Sequence, residues 1–322
     1  MASSIDLPSD DDGAFPAPVS PCPDDGIVLP SDDNADSDVE VQPKKQRTGR
    51  QTGRQKRRRY AHHDGKSRQE LLEANVMVHK RVPCLWEAQV PRHLQGQPRD
   101  HIMEVYSPRR VLAVAVDEME LSGEVSADLE TGWDFTKLDH RIALVIQVKA
   151  RRPEVLVLSP PCTLFSTLMN LNWCKMPRAT REAKFLEGLL HLELCCLLMD
   201  LQISEGRKVV FEHPQSALSW QNSQLKEITK LPGVSPVHFD MCEFGLVSPI
   251  EGVPLQKATV ILSNLPQLLT KLRDKKCKGM HKHKVIQGKE GGILLSTWAQ
   301  RYPREFCEVI AYSTAEHVHC HA

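Results

Sequence analysis

Two sets of residues in this chain have types and spacing that could do chemistry. The first is Cys162, in Val155-Leu-Val-Leu-Ser-Pro-Pro-Cys-Thr-Leu-Phe-Ser166. Val155 to Leu158 reads as a short buried strand, and Pro160 and Pro161 forbid both continued sheet pairing and an immediate helix. The thiol therefore stands on a stiff loop past a strand end, where open α/β sheets place ligands and chemistry. A helix N-terminus or a nearby cation at that place draws a thiol toward thiolate and makes it a nucleophile. The same pattern also suits a buried structural thiol in a Pro-rich turn. The second set is Cys277-Lys-Gly-Met-His281-Lys-His283, with Cys242 at the end of an apolar stretch as a fourth member. Two thiols and two imidazoles suit tetrahedral zinc, which would staple a short C-terminal region lacking a core of its own. The alternative is a solvated basic loop, Lys271 to Lys284, that contacts phosphate.

The elements that must position these residues alternate between strand and helix. His101 to Tyr106 reads as a first strand ending at Ser107-Pro108, and Val111 to Val116 is apolar enough for either strand or helix. Ser126 to Asp128 ends a second, short strand, and Thr131 to Phe135 is a turn in which Asp134 suits either a cap or a contact. Leu138 to Lys149 has helical periodicity, stopped by Pro153, before the strand Val155 to Leu158. Arg181 to Gln202 is a dense helical pattern, followed by the strand Lys208-Val-Val-Phe-Glu212, which also ends against a proline in Glu212-His213-Pro214. Val237 to Cys242 and Thr259 to Leu262 read as two further strands, and Leu295 to Ala311 as a helix apart from Pro303. Such alternation, with polar residues at the strand ends, predicts a doubly wound α/β fold.

Composition divides the chain. It has 322 residues and a formal net charge of zero, which hides two blocks of opposite sign. Every charge before Lys44 is acidic, and every charge from Lys44 to Arg59 is basic. The Asp-, Pro- and Ser-rich beginning buries too little apolar surface to offset chain entropy, so residues up to about 95 are expected to be disordered, save a helix near Ser67 to His79. The basic block suits a nuclear localisation signal or a phosphate-binding arm. The first residues carry neither a charged nor an apolar leader region, and the ten cysteines are not framed as a disulfide scaffold. A reducing compartment is therefore expected. No apolar run is long and charge-free enough to span a bilayer, since Phe185 to Leu201 carries Glu187, Glu193 and Asp200; no membrane partner is expected.

Ser159-Pro-Pro-Cys-Thr-Leu-Phe-Ser166 resembles the Pro-Cys loop of DNA cytosine-5 methyltransferases, usually Pro-Pro-Cys-Gln-x-Phe-Ser. Glu212-His213-Pro214, one helix and one strand later, is similar to that family's Glu-Asn-Val element. The resemblance runs over roughly Glu104 to Glu212, with a weaker tail at Arg301-Tyr-Pro303, and points to a divergent, mobile-element-associated branch. It implies a Rossmann-like class I methyltransferase fold; with the composition, residues 1–95 are expected as a disordered tail, 96–235 as the α/β core, and 236–322 as completing the fold, where the Cys/His set would give a zinc-stabilised basic segment. It implies S-adenosylmethionine as cofactor, contacted by Glu104, Tyr106, Ser107, Asp128, Asp134 and Ser159, with Asp128 at the ribose hydroxyls. It also implies that the Cys162 thiolate adds to cytosine C6 while Glu212 shares a proton with N3. The base must leave the stack to be reached, and Trp173, in the loop Leu168 to Trp173, is large enough to stack or wedge. The partner implied is nucleic acid, DNA rather than RNA, and the compartment the nucleus.

The chain departs from the family pattern in three places. The turn after the first strand, Ser107-Pro-Arg-Arg110, has no glycine. His213 stands where the family has asparagine. The stretch from Trp220 to Tyr302 is short for a recognition domain and has no Gln-x-Arg-x-Arg element. These departures motivate a rival reading, a catalytically inactive nucleic-acid-binding remnant of the fold. A second rival is thiol hydrolysis at Cys162, for which His213 is the obvious base.

Overall fold

The computed structural model describes residues 83–166, 169, 173 and 175–321. The acidic segment, the basic block and the helix expected near Ser67 to His79 lie outside the described residues.

Six strands form one sheet: β1 (Ile102–Val105), β2 (Ser126–Ala127), β3 (Val155–Leu158), β4 (Lys208–Pro214), β5 (Ser235–Asp240) and β6 (Ala258–Ser263), in the order β2-β1-β3-β4-β6-β5. The pairings from β2 through β4 are parallel, and β6 runs antiparallel to both β4 and β5. Every residue of β1 and β3 is buried, as a parallel sheet covered on both faces requires. Side chains alternate between two cores. Met103, Val105, Leu156, Leu158 and Phe211 face α3 (Leu138–Arg151), α4 (Arg178–Ser204) and α5 (Ser223–Ile228). Ile102, Val155, Val157, Val210 and Ile261 face α2 (Val111–Met119), α6 (Pro266–Leu272) and α8 (Arg304–His321). The structure is thus a mixed α/β fold, a mainly parallel sheet flanked by helices.

Several element boundaries follow from local chemistry. The apolar stretch after Arg110 becomes helix α2 because Glu104 accepts hydrogen bonds from the amides of Arg110, Val111 and Leu112 at 2.9, 3.2 and 3.0 Å. These are amides of a first turn that have no partner within their own helix. Pro303 divides the expected C-terminal helix into α7 (Leu295–Trp298) and α8. Packed chain begins before residue 95. The short helix α1 (Pro83–Trp86) buries Leu85, and Lys149 Nζ donates to the carbonyls of Trp86 and Ala88 at 2.5 and 2.8 Å. A hairpin of β7 (Lys289–Glu290) and β8 (Ile293–Leu294) turns at Gly291 and Gly292, whose φ of 54° and 83° suit a two-residue turn with both residues left-handed. Among the described residues no helix is long and apolar enough to cross a membrane.

Candidate active site and metal centre

The chain crosses from β2, at one side of β1, to β3 at the other. The carboxyl ends of β1 and β3 therefore part their loops around a crevice, the place where open sheets of this kind bind ligands. A cleft of about 320 Å³ lies there. Tyr106, Ser107, Asp128, Ser159, Cys162 and Glu212 all line it, together with Arg110, Lys257 and Tyr302.

Cys162 reaches the cleft on the expected loop. β3 stops at Leu158, and the loop closes with Phe165 N donating to Cys162 O at 3.0 Å. Phe165 O in turn accepts from Leu218 N at 2.9 Å, which ties the cysteine loop to the segment after β4. The thiol is half-buried. Burial pushes it above its ordinary value of 9.0; the Lys257 ammonium pulls it back, and the Glu212 carboxylate pushes it further up.

Glu212 arrives from the neighbouring strand. Leu158 and Phe211 stand opposite each other in the β3–β4 register, so Glu212 lies one step further, beside the start of the cysteine loop. Its Oε2 accepts from the Tyr302 hydroxyl at 3.2 Å, and Tyr302 also hydrogen-bonds Ser159 Oγ. Its Oε1 is buried and has no hydrogen-bond partner, although Lys257 Nζ stands 3.3 Å away as an ion pair. An unsatisfied buried acceptor is costly, so a ligand that brings an N–H to it recovers free energy.

The turn that lacks glycine is built with left-handed residues instead. Tyr106 has φ 64° and Arg109 φ 46°, a region that side chains adopt at a cost and that clusters at functional sites. Tyr106 is held there by its hydroxyl, 3.1 Å from His191 Nδ1, and by the edge of Phe135. Asp128 caps the 3-10 turn Leu129–Thr131, accepting from Glu130 N at 2.8 Å, and is fixed at the cleft by that cap.

Two of the expected cofactor contacts are used elsewhere. Glu104 is fully buried beneath α2 and its carboxylate is engaged by three amides. Asp134 does not line the cleft; it accepts from the amide and hydroxyl of Thr136 at 3.0 and 2.6 Å as a turn cap. Trp173 is buried in the core beside α4 rather than offered as a wedge, and the rest of its loop, Met169 apart, lies outside the described residues. His213 is buried among Phe165, Phe211 and Trp220, with Nδ1 2.5 Å from Ser219 Oγ. Burial, with Lys257 adding to it, pulls His213 down to about 3. It is absent from the cleft lining, so thiol hydrolysis loses its base.

Arg110, Lys257 and Tyr302 share the cleft and were not assigned to it from sequence. Tyr302 stood there only as part of Arg301-Tyr-Pro303. The reversed strand explains Lys257. Because β6 is antiparallel to β4, with Thr259 opposite Pro214, the residues before β6 arrive at the carboxyl end of β4.

The second expected cluster also assembles. Cys242 lies in the 3-10 turn Met241–Phe244 just past β5, and Cys277, His281 and His283 lie on the loop after α6. Their ligand atoms lie within 4.8 Å of one another, so the four could hold a metal ion. Cys277 Sγ is 3.6 Å from His281 Nε2 and 3.5 Å from His283 Nε2, and Gly279 N donates to the same sulfur at 3.3 Å. Burial and the neighbouring Cys277 push the Cys242 thiol up to about 12. Comparison of the chain with protein-family models and with curated proteins finds no match.

Proposed function

We propose that this protein methylates C5 of cytosine in nucleic acid, DNA in preference to RNA, through a covalent adduct on Cys162. The observation that carries this reading is the convergence of Cys162 and Glu212, from two adjacent strand ends, on one cleft. The sheet supports a Rossmann-like class I methyltransferase fold, with a parallel half, a switch point between β1 and β3, and a reversed strand beside β4.

Tyr106, Ser107 and Asp128, with Ser159 at the adjoining strand end, would hold S-adenosylmethionine, which would supply an electrophilic methyl group and leave as S-adenosylhomocysteine. These residues fit it in kind, because an acidic side chain ends β2, as ribose recognition on such sheets requires. The remaining work falls to the chain's own groups. Cys162 Sγ forms a bond to C6 of a flipped-out cytosine. Glu212 shares a proton with ring N3 through the oxygen that lacks a hydrogen-bond partner, which relieves the charge that addition builds on the ring. C5 then carries the electron pair that would accept the methyl group. Loss of the C5 proton and cleavage of the S–C6 bond restore the ring and the thiolate.

We also read the Cys242–Cys277–His281–His283 cluster as a structural zinc site, since two thiols and two imidazoles in a closed set match that metal. The basic block Lys44 to Arg59 would serve as nuclear address or phosphate-binding arm. A second reading, the inactive nucleic-acid-binding remnant, is favoured by the upward push on Cys162 and by the two left-handed residues where the family has glycine. Covalent trapping on 5-fluorocytosine DNA with S-adenosylmethionine separates the two.

A further inference from the structure

The segment that carries Lys257 into the cleft is gripped by the parts of the chain that hold the four metal-ligating residues. Lys284 N, one residue past His283, donates to Pro254 O at 2.9 Å, and Leu255 pairs with Lys284 as an isolated bridge. Gln256 Nε2 donates to Asp240 Oδ1 at 3.4 Å, and the other oxygen of Asp240 accepts from Cys277 N at 3.0 Å. Met241 N, next to Cys242, donates to Lys257 O at 3.1 Å. Residues 254–257 therefore hang between the turn bearing Cys242 and the loop bearing the other three ligands.

That loop has little of its own to hold it. Among residues 273–285 none is buried, Met280 is 89% exposed, and no helix or strand forms. A bound ion would supply the missing constraint. With Zn–S of about 2.3 Å and Zn–N of about 2.0–2.1 Å, a tetrahedral zinc has S···N edges of about 3.5–3.6 Å. The two Cys277–histidine separations are 3.5 and 3.6 Å. The Gly279 amide on Cys277 Sγ is the kind of outer hydrogen bond that orients a thiolate ligand.

We propose that the Cys242–Cys277–His281–His283 centre is a positioning site, whose zinc ion clamps residues 254–257 so that Lys257 reaches Glu212 and the Cys162 thiol. Lys257 is then a positioning cation for the nucleophile, and the metal acts on the reacting atoms only through it. The proposal rests on the zinc reading given above but not on methyl transfer, because a thiol beside a fixed ammonium differs from one without it whatever its substrate. The charged and titratable groups around Cys162 are Lys257 and Glu212, with Tyr106, Arg110, Asp128, Glu130 and Tyr302 also on the cleft wall.

The test is the pH profile of Cys162 alkylation by iodoacetamide on the full chain, read by peptide mass spectrometry so that other thiols are distinguished. Five samples are compared: zinc-loaded native chain, chelator-stripped chain, stripped chain reloaded with zinc, and Lys257→Met with and without zinc. An opposite charge at close range shifts a pKa by about 1–3 units, so loss of the clamp should slow alkylation near neutral pH by about tenfold. Stripping and Lys257→Met should each give that slowing, zinc should reverse the first, and stripping should add nothing in Lys257→Met. Unfolding cannot imitate this, since it would expose the thiol and speed the reaction. An unchanged or faster rate on stripping, with zinc bound one to one beforehand, overturns the clamp. Failure to bind zinc, with no thiolate-to-metal charge-transfer band on cobalt substitution, overturns the zinc reading itself.

Discussion

Lys257 Nζ lies 3.3 Å from Glu212 Oε1, with the two side chains 15% and 7% exposed, and Cys162 opens onto the same cleft. A partly buried ammonium and a buried carboxylate thus share the cleft with a thiol. The pair does two jobs of opposite sign, since the cation favours the thiolate and the anion disfavours it. Both charges act on one thiol, so a ligand that engages Glu212 changes the balance between them.

The pair should be worth more broken than whole. Lys257→Met leaves Glu212 buried beside only the Tyr302 hydroxyl, and losing one partner of a buried ion pair costs about 3–5 kcal/mol. Adding Glu212→Gln should return most of that loss. Denaturant unfolding of the two single variants and the double variant reads this directly, and additive losses would contradict it.

Acid should weaken the fold through two buried histidines. Burial, with Lys257, pulls His213 down to about 3, and burial, with Arg141, pulls His191 down to about 4, from an ordinary 6.5. Between those values and 6.5 the unfolded chain binds protons that the folded chain refuses. Their contribution is therefore complete above 6.5 and is lost as pH falls toward 4 for His191 and 3 for His213. Each histidine adds a slope of up to about 1.4 kcal/mol per pH unit. His213→Asn, which can keep the Ser219 bond, and His191→Gln should each flatten the fall in unfolding free energy between pH 6 and pH 4.5 (roughly, given those pKa values). A fall that stays as steep in both variants would place the acid sensitivity elsewhere.

Gly188 in α4 should respond against helix propensity. On propensity alone Gly→Ala in a helix interior stabilises by about 1 kcal/mol. Here a Cβ would stand 2.3 Å from Leu164 Cδ2 and 2.9 Å from Leu164 Cβ, two residues from Cys162. Overpacking of this kind costs about 1–3 kcal/mol, so Gly188→Ala should destabilise and should displace the cysteine loop. Thermal melting together with the Cys162 alkylation rate checks both, and a stabilised variant with unaltered Cys162 reactivity would refute it.

The strand ends that present Cys162 and Glu212 were legible in the sequence because each is an apolar run stopped by proline, a strictly local signal. Cys277, His281 and His283 were legible for the same reason. Carboxylates were harder. Glu104 and Asp134 lie beside turns, where an acid can bind a ligand or cap a backbone, and both cap. Lys257 could not be seen as part of the site, since its place depends on β6 running against β4, which is a property of the whole sheet. Cys242 was expected to end a strand; β5 instead starts at Ser235-Pro236, as a sheet-edge strand can, and stops at Asp240, leaving Cys242 on a 3-10 turn turned toward the loop.

The most direct test of the central claim is covalent trapping on 5-fluorocytosine DNA, run with and without S-adenosylmethionine on the native chain, Cys162→Ala and Glu212→Gln. Fluorine at C5 blocks the final elimination, so an enzyme that adds its thiol to C6 and methylates C5 stays attached. Trapping should need S-adenosylmethionine, should vanish in Cys162→Ala, and should fall by at least about a hundredfold in Glu212→Gln, as loss of proton-transfer assistance implies. Because burial holds the thiol above 9.0, the trapping rate should still be climbing at pH 9. Absence of any adduct from a chain that binds the same DNA equally well with Cys162→Ala would contradict methylation and leave the binding remnant as the account of this fold.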